Sequence, residues 1–369
     1  MDYKVKIYDK FDDKLFLIWK SLENKCENYI FQNYEWLAYW HQTIGAKNQN
    51  IKPVIIILSK KNVPIALFPF GIRKYFGARV LEFLGGDQSD YNSPIIKPEY
   101  SSINKIKKIL NIIENYLPPH DVRLFNKLPS EINQNNHAII NIWKCRYDYD
   151  SYAAILPNKW DVYYNNISPK IRNDSKRQLK RLSKFGTPKF LIASNQEEYD
   201  YFIDNMFDQK RQRYKKTGAR DILSFNSTQK FYRGLPSQLK DSSAVHLSVL
   251  ELNNEILATH WGVIYNNRYY FLLPTYADNE WAKYSTGRLL QQRIIEWAII
   301  SKLKIFDFTI GNEQYKKIWC NYNMKIYSHI KIISIFGLFF MLNHYLTRFL
   351  RKNFFARKLF MKLNKIITR

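Results

Sequence analysis

Residues 284–319 of this 369-residue chain, YSTGRLLQQRIIEWAIISKLKIFDFTIGNEQYKKIW, carry the clearest indication of its fold class. This stretch predicts a turn through Gly287, a helix over residues 289–300 and a strand over residues 304–309. The start of a helix presents backbone N–H groups without intrahelical partners and therefore attracts anions. The pattern predicts an α/β unit with an anion-binding turn, although a simple strand-to-helix turn fits the spacing equally well.

Upstream of this stretch the sequence predicts a three-stranded meander, over residues 245–252, 256–265 and 268–275. The pairs Asn253-Asn254 and Asn266-Asn267 separate the strands. Asparagine tolerates the positive φ angles that two-residue hairpin turns require. The second half of the chain therefore reads as meander, turn, helix and strand.

The first half has its own strands and helix. Apolar runs predict strands over residues 54–58, 65–70 and 79–84, and helical spacing predicts a helix over residues 103–116. Between them GGDQSDYNSP, residues 85–94, is a polar loop rich in turn formers. The chain is predicted to have three parts, namely residues 1–156, residues 157–325 and a basic tail of residues 326–369.

The net charge of +25 is concentrated in two places. After Glu313 the chain holds twelve Lys and Arg and no Asp or Glu. A helix predicted to begin at Ser168-Pro169 carries seven more against Asp174 alone. Two basic segments predict two local contacts, with phosphates or with membrane lipid, rather than a general nucleic-acid coat.

Cysteine and histidine are sparse and unclustered. The three Cys lack CxxC spacing and the seven His form no ligand-spaced pair, so neither a disulfide framework nor a metal site is predicted. The charged N-terminus is unlike a signal peptide. The longest uncharged run, residues 332–347, is shorter than the roughly 20 residues of a spanning helix. These features predict a reducing, cytoplasmic location.

The stretch 284–319 resembles the signature of acetyltransferases related to the CelD proteins of cellulose biosynthesis, a branch of the GNAT superfamily close to the Fem peptidyltransferases. The signature combines a small-residue turn, a helix, an Asp-Phe strand, a glycine, an acidic residue, Tyr-Lys and a tryptophan. Its counterparts here are Ser285-Thr286-Gly287, Asp307-Phe308, Gly311, Glu313, Tyr315-Lys316 and Trp319. The first half is similar in YEWLAYW (34–40), VPIALFPF (63–70) and LGGDQSDYNSPII (84–96).

The resemblance implies an α/β (α+β) fold of two GNAT-like units, each with a mixed sheet flanked by helices. It also implies acyl transfer from a thioester, with acyl-CoA as co-substrate and no metal. The turn of Ser285, Thr286, Gly287 and Arg288 would then hold the CoA phosphates. The turn departs from the family pattern at two positions, which affects how closely it could surround the phosphates. Thr286 stands where many members have proline, and Leu289 stands where the superfamily prefers a small residue.

Four residues are candidates for amine attack on a thioester, which needs a base, a stabilised oxyanion and a proton for the leaving thiolate. Asp307, between two phenylalanines, is predicted to face the cleft and orient or deprotonate the acceptor, or else to cap the following loop. By resemblance Lys316 stabilises charge at the transferring acyl group; a solvated lysine is the alternative. Tyr315 as proton donor and His260 as base complete the set, although core packing is the stronger interpretation of both.

Four further residues are candidates for acceptor binding. Asp90 and Tyr91 lie in a loop predicted to face the second half's cleft, where they would recognise the acceptor; a turn-forming Asp with a packed Tyr is the alternative. Arg172 and Lys176 on the basic helix would receive a phosphate of a nucleotide carrier or lipid-linked sugar. A solvated helix face explains them equally well.

The C-terminal tail combines basic and apolar residues. On a helical wheel the basic residues from Arg348 to Arg369, apart from Arg357, share one side and most apolar residues the other. With the apolar run 332–346 this predicts an interfacial or re-entrant segment on anionic cytoplasmic lipid. Helices that pack on the protein's own core or on a partner are the alternative.

These features together predict an enzyme: an acyl-CoA-dependent N-acyltransferase that acts on an amino-sugar, glycan or other envelope precursor at the inner face of the membrane. Two alternatives stay open, aminoacyl transfer from charged tRNA, as in the Fem relatives, and a non-catalytic accessory protein of polysaccharide synthesis. Fem enzymes usually carry a long coiled-coil arm, and the sequence between Ser194 and Ser243 has no sustained heptads. The CoA-dependent enzyme is therefore preferred.

Overall fold

A thirteen-stranded sheet extends through the computed structural model, which describes residues 3–75, 77–132, 135–218, 221–239 and 243–352. The strands are β1 (Tyr3–Tyr8), β2 (Lys52–Lys60), β3 (Val63–Tyr75), β4 (Ala78–Phe83), β5 (Ile95–Ile96), β6 (Val122–Pro129), β7 (Glu131–Ile132), β8 (Asn135–Asn136), β9 (Arg146–Ile155), β10 (Lys189–Ile192), β11 (Ser243–Leu252), β12 (Glu255–Tyr265), β13 (Arg268–Tyr276), β14 (Ile305–Ile310) and β15 (Tyr322–Ile332). The small pair β7 and β8 forms a separate hairpin.

Helices flank both faces of this sheet. They are α1 (Asp13–Glu23), α2 (Tyr34–Trp40), α3 (Ala46–Asn48), α4 (Ile103–Glu114), α5 (Ile139–Ile142), α6 (Trp160–Asn165), α7 (Pro169–Leu182), α8 (Gln196–Thr217), α9 (Asn226–Gly234), α10 (Thr286–Ile300), α11 (Gln314–Trp319) and α12 (Ile335–Lys352). The predicted mixed α/β class is confirmed.

The two halves repeat one topology. In the first half β2, β3 and β4 form an antiparallel meander, and after α4 the chain returns as β6, parallel to β4. In the second half β11, β12 and β13 form the meander, and after α10 the chain returns as β14, parallel to β13. The repeat accounts for the two predicted α/β patterns.

The halves then exchange their last strands. β9, which follows the first half in sequence, pairs with β14 of the second. β15, which follows the second half, pairs with β6 of the first, and β9 and β15 pair with each other. The sheet order is therefore β1-β2-β3-β4-β6-β15-β9-β14-β13-β12-β11-β10. The first half is thus extended by β15 and the second half by β9. Because β9 and β15 also pair with each other, hydrogen bonding is continuous from one half to the other.

Local sequence signals set several element boundaries. Both meander turns have positive φ at their asparagines, 50° and 65° at Asn253-Asn254 and 49° and 59° at Asn266-Asn267. Ser168 caps α7 by accepting a hydrogen bond from the Ile171 N–H at 3.5 Å. Asn195 caps α8 by accepting one from the Glu198 N–H at 2.9 Å.

The segment between the second half's first strand and its meander folds onto the sheet. α8 buries a stripe of apolar side chains against it, namely Tyr199, Phe202, Ile203, Met206 and Phe207. Within residues 196–218 and 221–239 the chain forms no projecting arm of the kind that a coiled coil would give.

The sheet extends past residue 326, where the tail was predicted to begin. β15 continues to Ile332, because residues 326–332 pair with β6 in the sheet. α12 begins only at Ile335, and in the described part of the chain no helix is both long enough and apolar enough to cross a membrane. The predicted basic wheel from Arg348 to Arg369 lies largely outside the described residues.

Buried neutral histidines make folding sensitive to acid. Burial lowers the pKa of His137 to about 4 and that of His246 to about 3. In the unfolded chain these groups titrate near 6.5. Below that pH the unfolded state binds protons that the folded state excludes, so each histidine costs about 1.4 kcal/mol of stability per pH unit until its folded pKa is reached.

We therefore expect His137→Gln to flatten the acid side of the stability profile. Its free energy of unfolding, relative to that of the wild type, should rise by about 1.4 kcal/mol per unit as the pH falls from 6.5 towards 4. Urea titrations of both proteins at several pH values measure this difference. The comparison cancels other groups, such as Glu23, whose pKa burial raises to about 7. If the stability of the two proteins changed equally with pH, the assigned effect of His137 would be contradicted.

Candidate active site

A cavity of about 740 Å³ opens where β13 and β14 diverge. The two parallel strands pair only from Arg268–Tyr270 to Ile305–Asp307. Beyond that point β13 runs on to Tyr276 beside β12, so its other edge faces the cavity. The residues that line the cavity are Asp90, Ile171, Lys210, Arg213, Phe271, Leu272, Pro274, Thr275, Tyr276, Ala282, Ser285, Thr286, Gly287, Arg288, Gln291, Phe308, Thr309, Ile310, Glu313, Tyr315, Lys316, Ile318 and Trp319.

The N-terminus of α10 forms one rim of this cavity. All four residues predicted to bind the cofactor, Ser285, Thr286, Gly287 and Arg288, line it. Ser285 has the left-handed conformation, with φ 56°, which turns the chain into the helix. A Cβ at Gly287 would lie 3.2 Å from the ring of Tyr276, so glycine keeps the space between helix and strand open. The rim therefore offers helix N–H groups to an anion.

Asp90 reaches the same cavity from the first half of the chain. Lys127 holds its loop, since the Nζ atom donates to the carbonyl oxygens of Gly86 at 3.1 Å and Ser89 at 2.7 Å. Burial raises the pKa of the Asp90 carboxyl above its usual 3.8, against the opposing effects of Lys127, a hydrogen bond with Thr309, and Lys316. A carboxylate so placed is a stronger base than an exposed one.

Lys316 and Tyr315 lie on α11 and both line the cavity. Lys316 is 4% exposed, and its Nζ atom donates to the Ile310 carbonyl at 2.6 Å and pairs with Glu313 at 3.1 Å. Burial raises the pKa of Tyr315 well above its usual value. The structure thus brings a buried cation and a protonated phenol to the end of β14.

Asp307 sits in a buried network between the halves rather than in the cavity lining. Its Oδ1 atom accepts from the Tyr91 hydroxyl and from the Thr309 N–H, both at 2.8 Å, and its Oδ2 atom accepts from Arg268 at 2.7 Å. Thr309 has φ 57°, a rare conformation for a β-branched residue, and does line the cavity. Asp307 is thus placed to hold the strained end of β14 and the loop that carries Asp90.

His260 also lies outside the cavity lining. Its ring stacks on Phe271 at 3.9 Å, and its Nδ1 atom is 3.0 Å from the Tyr269 hydroxyl. Burial lowers its pKa far below the usual value, so the ring is neutral. These contacts place His260 in the core of the second half. Core packing was the alternative to a role as the catalytic base.

The two basic-helix candidates are not brought to the cavity. Arg172 donates through Nε to the Ile167 carbonyl at 3.0 Å and through Nη1 to Asn165 at 3.2 Å, so it fastens the start of α7. Lys176 is exposed. The contact between α7 and the rim is made instead by Asp174, which pairs with Arg288.

Sequence reasoning missed two cations on α8, Lys210 and Arg213, which line the cavity. Burial lowers the pKa of Lys210 to about 8, with Arg213 adding to the effect. A signal was present: Lys210 follows Met206 by four residues and Phe207 by three, so it continues the buried stripe of α8 towards the sheet. A lysine on an apolar stripe is a candidate for a site.

Residues 169–317 match the family model described as Acetyltransferase (GNAT) domain. The matched span contains most of the cavity lining but not Asp90, which comes from outside it. A search of curated proteins found no match.

Solved structures share the fold over nearly the whole chain. FemX aligns with a TM-score of 0.60 at 10% identity, over 90% of this chain and 98% of its own. A conserved protein of unknown function from Bacteroides thetaiotaomicron aligns at 0.52 and 10% identity, over 89% and 100%. L-PGS from Bacillus licheniformis aligns at 0.50 and 12% identity, over 88% and 93%. The chain therefore shares its overall fold with these proteins, and residues 169–317 within it match a GNAT domain.

Proposed function

We propose that this chain, with its GNAT domain over residues 169–317, transfers an acyl group from CoA to an amine. The observation that carries the proposal is that Asp90 and the N-terminus of α10 line the same cavity, beside the unpaired edge of β13. A CoA thioester needs a binding site for its pyrophosphate, which the helix N-terminus offers. The amine acceptor needs a base, which Asp90 offers.

The donor would lie between β13 and β14. The open edge of β13, from Phe271 to Tyr276, offers backbone groups to the amides of an acyl carrier, and the start of α10 offers N–H groups to its pyrophosphate. Arg288 would add a positive charge at that rim, where Asp174 already fixes its direction. The thioester would then point towards Thr309 and Asp90.

In the transfer step the acceptor nitrogen attacks the thioester carbonyl carbon and its proton passes to the Asp90 carboxylate. The C–S bond then breaks, and the thiolate takes a proton from Tyr315. Lys316 would stabilise the oxyanion that forms between these events. For Asp307 and Tyr91 we propose a positioning role, because their hydrogen bond ties the Asp90 loop to β14.

For the acceptor we propose an amino-sugar or another cell-envelope or polysaccharide precursor met at the cytoplasmic face of a membrane. Six charged side chains line the cavity: Asp90, Glu313, Lys210, Arg213, Arg288 and Lys316. Such a lining suits a polar acceptor better than an apolar one. Aminoacyl transfer from tRNA remains the second candidate because FemX shares the fold, and a non-catalytic accessory role is the third.

CoA should raise the melting temperature of the protein, since a ligand at a hundredfold excess over its Kd adds about 2.7 kcal/mol of stability. Gly287→Glu should abolish that shift, because its side chain fills the rim and its charge repels phosphate. Ile300→Glu is the matched control: it puts the same charge at the opposite end of α10, on a residue that is 70% exposed.

Thermal melts of the three proteins, with CoA and separately with charged tRNA, measure these shifts. A shift with tRNA and none with CoA would favour the second candidate. Equal CoA shifts in both variants would contradict the assignment of the rim.

A further inference from the structure

α12 has one face that is fixed to the protein. Phe340 and Met341 are buried among Ala78, Val80, Val122 and Leu124 of β4 and β6. Gly337 lets the helix come close, since a Cβ there would lie 2.0 Å from the Asp121 carbonyl oxygen. Ser334, just before the helix, donates to the Asp121 carboxylate at 2.7 Å. The helix is therefore a docked part of the fold rather than a loose extension.

The opposite face of α12 is apolar and exposed. Phe336, Phe339 and Leu342 are 56%, 62% and 57% exposed and fall on one stripe at helical spacing. Other exposed large apolar side chains lie on the helix, namely Ile335, Leu338, Tyr345 and Leu346, and two more, Ile332 and Ile333, come just before it. No Lys, Arg, Asp or Glu interrupts residues 332–347. A contiguous apolar surface of this kind marks an interaction site.

The sequence that follows this face is strongly basic. After Thr347 it holds eight Lys and Arg with no Asp or Glu, whereas Lys331, before the helix, pairs with Glu114 at 3.3 Å. A second copy of the chain docked on this face would bring two such positive segments together. Negative headgroups would instead neutralise them, and acyl chains would cover the apolar stripe.

We propose that the outer face of α12 binds an anionic lipid bilayer, with Phe336, Phe339 and Leu342 inserted at the level of the headgroups and the helix lying in the plane of the surface. The docked inner face fixes the catalytic units relative to the membrane, because α12 packs on the same continuous sheet that forms the cavity. The surface lies outside the cavity lining, so the proposal does not depend on the reaction.

Vesicle binding tests the proposal. The full chain is sedimented with vesicles of phosphatidylcholine alone and of phosphatidylcholine mixed with phosphatidylglycerol, at low and high salt. We expect binding to the anionic vesicles that salt weakens. The triple variant Phe336→Ser, Phe339→Ser, Leu342→Ser should lose at least about tenfold in partition, because three inserted side chains are removed.

A matched control carries Leu17→Ser, Val162→Ser and Ile300→Ser, three exposed apolar residues at other places, and should bind as the wild type does. Both triple variants should keep the thermal shift with CoA, which separates this surface from the catalytic proposal. Equal vesicle binding by wild type and α12 variant would overturn the inference. The inference would also be overturned if the wild type did not bind anionic vesicles, or if it formed a dimer that the α12 substitutions dissociate.

Discussion

Asp90→Asn is expected to lower the kcat of acyl transfer by about 10²–10⁴-fold, the usual contribution of a positioned general base. The amide has the shape of the carboxylate but cannot take the proton from the acceptor nitrogen. CoA affinity should change little, because the rim of α10 that would bind the donor is formed by other residues. Steady-state kinetics with an amine acceptor, together with CoA titration, separate the two effects.

The control for this variant is Asp87→Asn, the same chemical change on an exposed residue of the same loop, which should leave kcat near the wild-type value. The pH profile supplies a second readout. Since burial raises the pKa of Asp90 above 3.8, wild-type kcat should rise with pH through that raised pKa, and the rise should vanish in Asp90→Asn. If Asp90→Asn kept both the wild-type kcat and its rise with pH, the general base would be another residue.

Asp307→Leu is expected to lower the free energy of unfolding by about 3–5 kcal/mol, because it removes one member of the buried ion pair that joins Asp307 and Arg268 at 2.7 Å. The side chains of this pair are 7% and 1% exposed. Arg268→Met should cost a similar amount for the converse reason. The double variant should cost less than the sum of the two, since it removes both members of the pair, and urea denaturation of all three measures the coupling.

An exposed pair provides the comparison. Asp208 and Arg211 on α8 pair at 2.9 Å with side chains 63% and 43% exposed, so Asp208→Leu should cost at most about 1 kcal/mol. Stability losses at Asp307 that match those at Asp208 would refute the buried network. A loss of kcat in Asp307→Asn without any change in stability or in the pH profile set by Asp90 would point to direct chemistry by Asp307 instead of positioning.

Local patterns in the sequence were sufficient for most of the second half. The asparagine pairs predicted both hairpins, because the turn needs positive φ and asparagine tolerates it. Gly287 and the apolar period after it predicted α10, and the structure places the four turn residues on the cavity rim. Each of these predictions concerns residues a few positions apart, where the backbone itself restricts the outcome.

Asp307 shows where such reasoning ends. Strand alternation correctly separates it from Phe306 and Phe308, which pack in the core of the second half. The prediction that its side chain faces an open cleft assumed that this side of β14 is free. In the structure the first half covers that side and supplies Tyr91 to the carboxylate. The burial of a strand face depends on what packs against it, which lies far away in sequence.

Two α/β patterns, their turns and caps, and the residues of the helix N-terminus could be predicted from the chain alone, because hydrogen bonding and φ preferences act over a few residues. The exchange of β9 and β15 between the halves, the burial of Asp307 under the first half and the exposed apolar face of α12 could be seen only in the folded protein. Those outcomes depend on contacts between segments up to hundreds of residues apart, where burial and strand pairing across the whole sheet, rather than local preference, set the free energy.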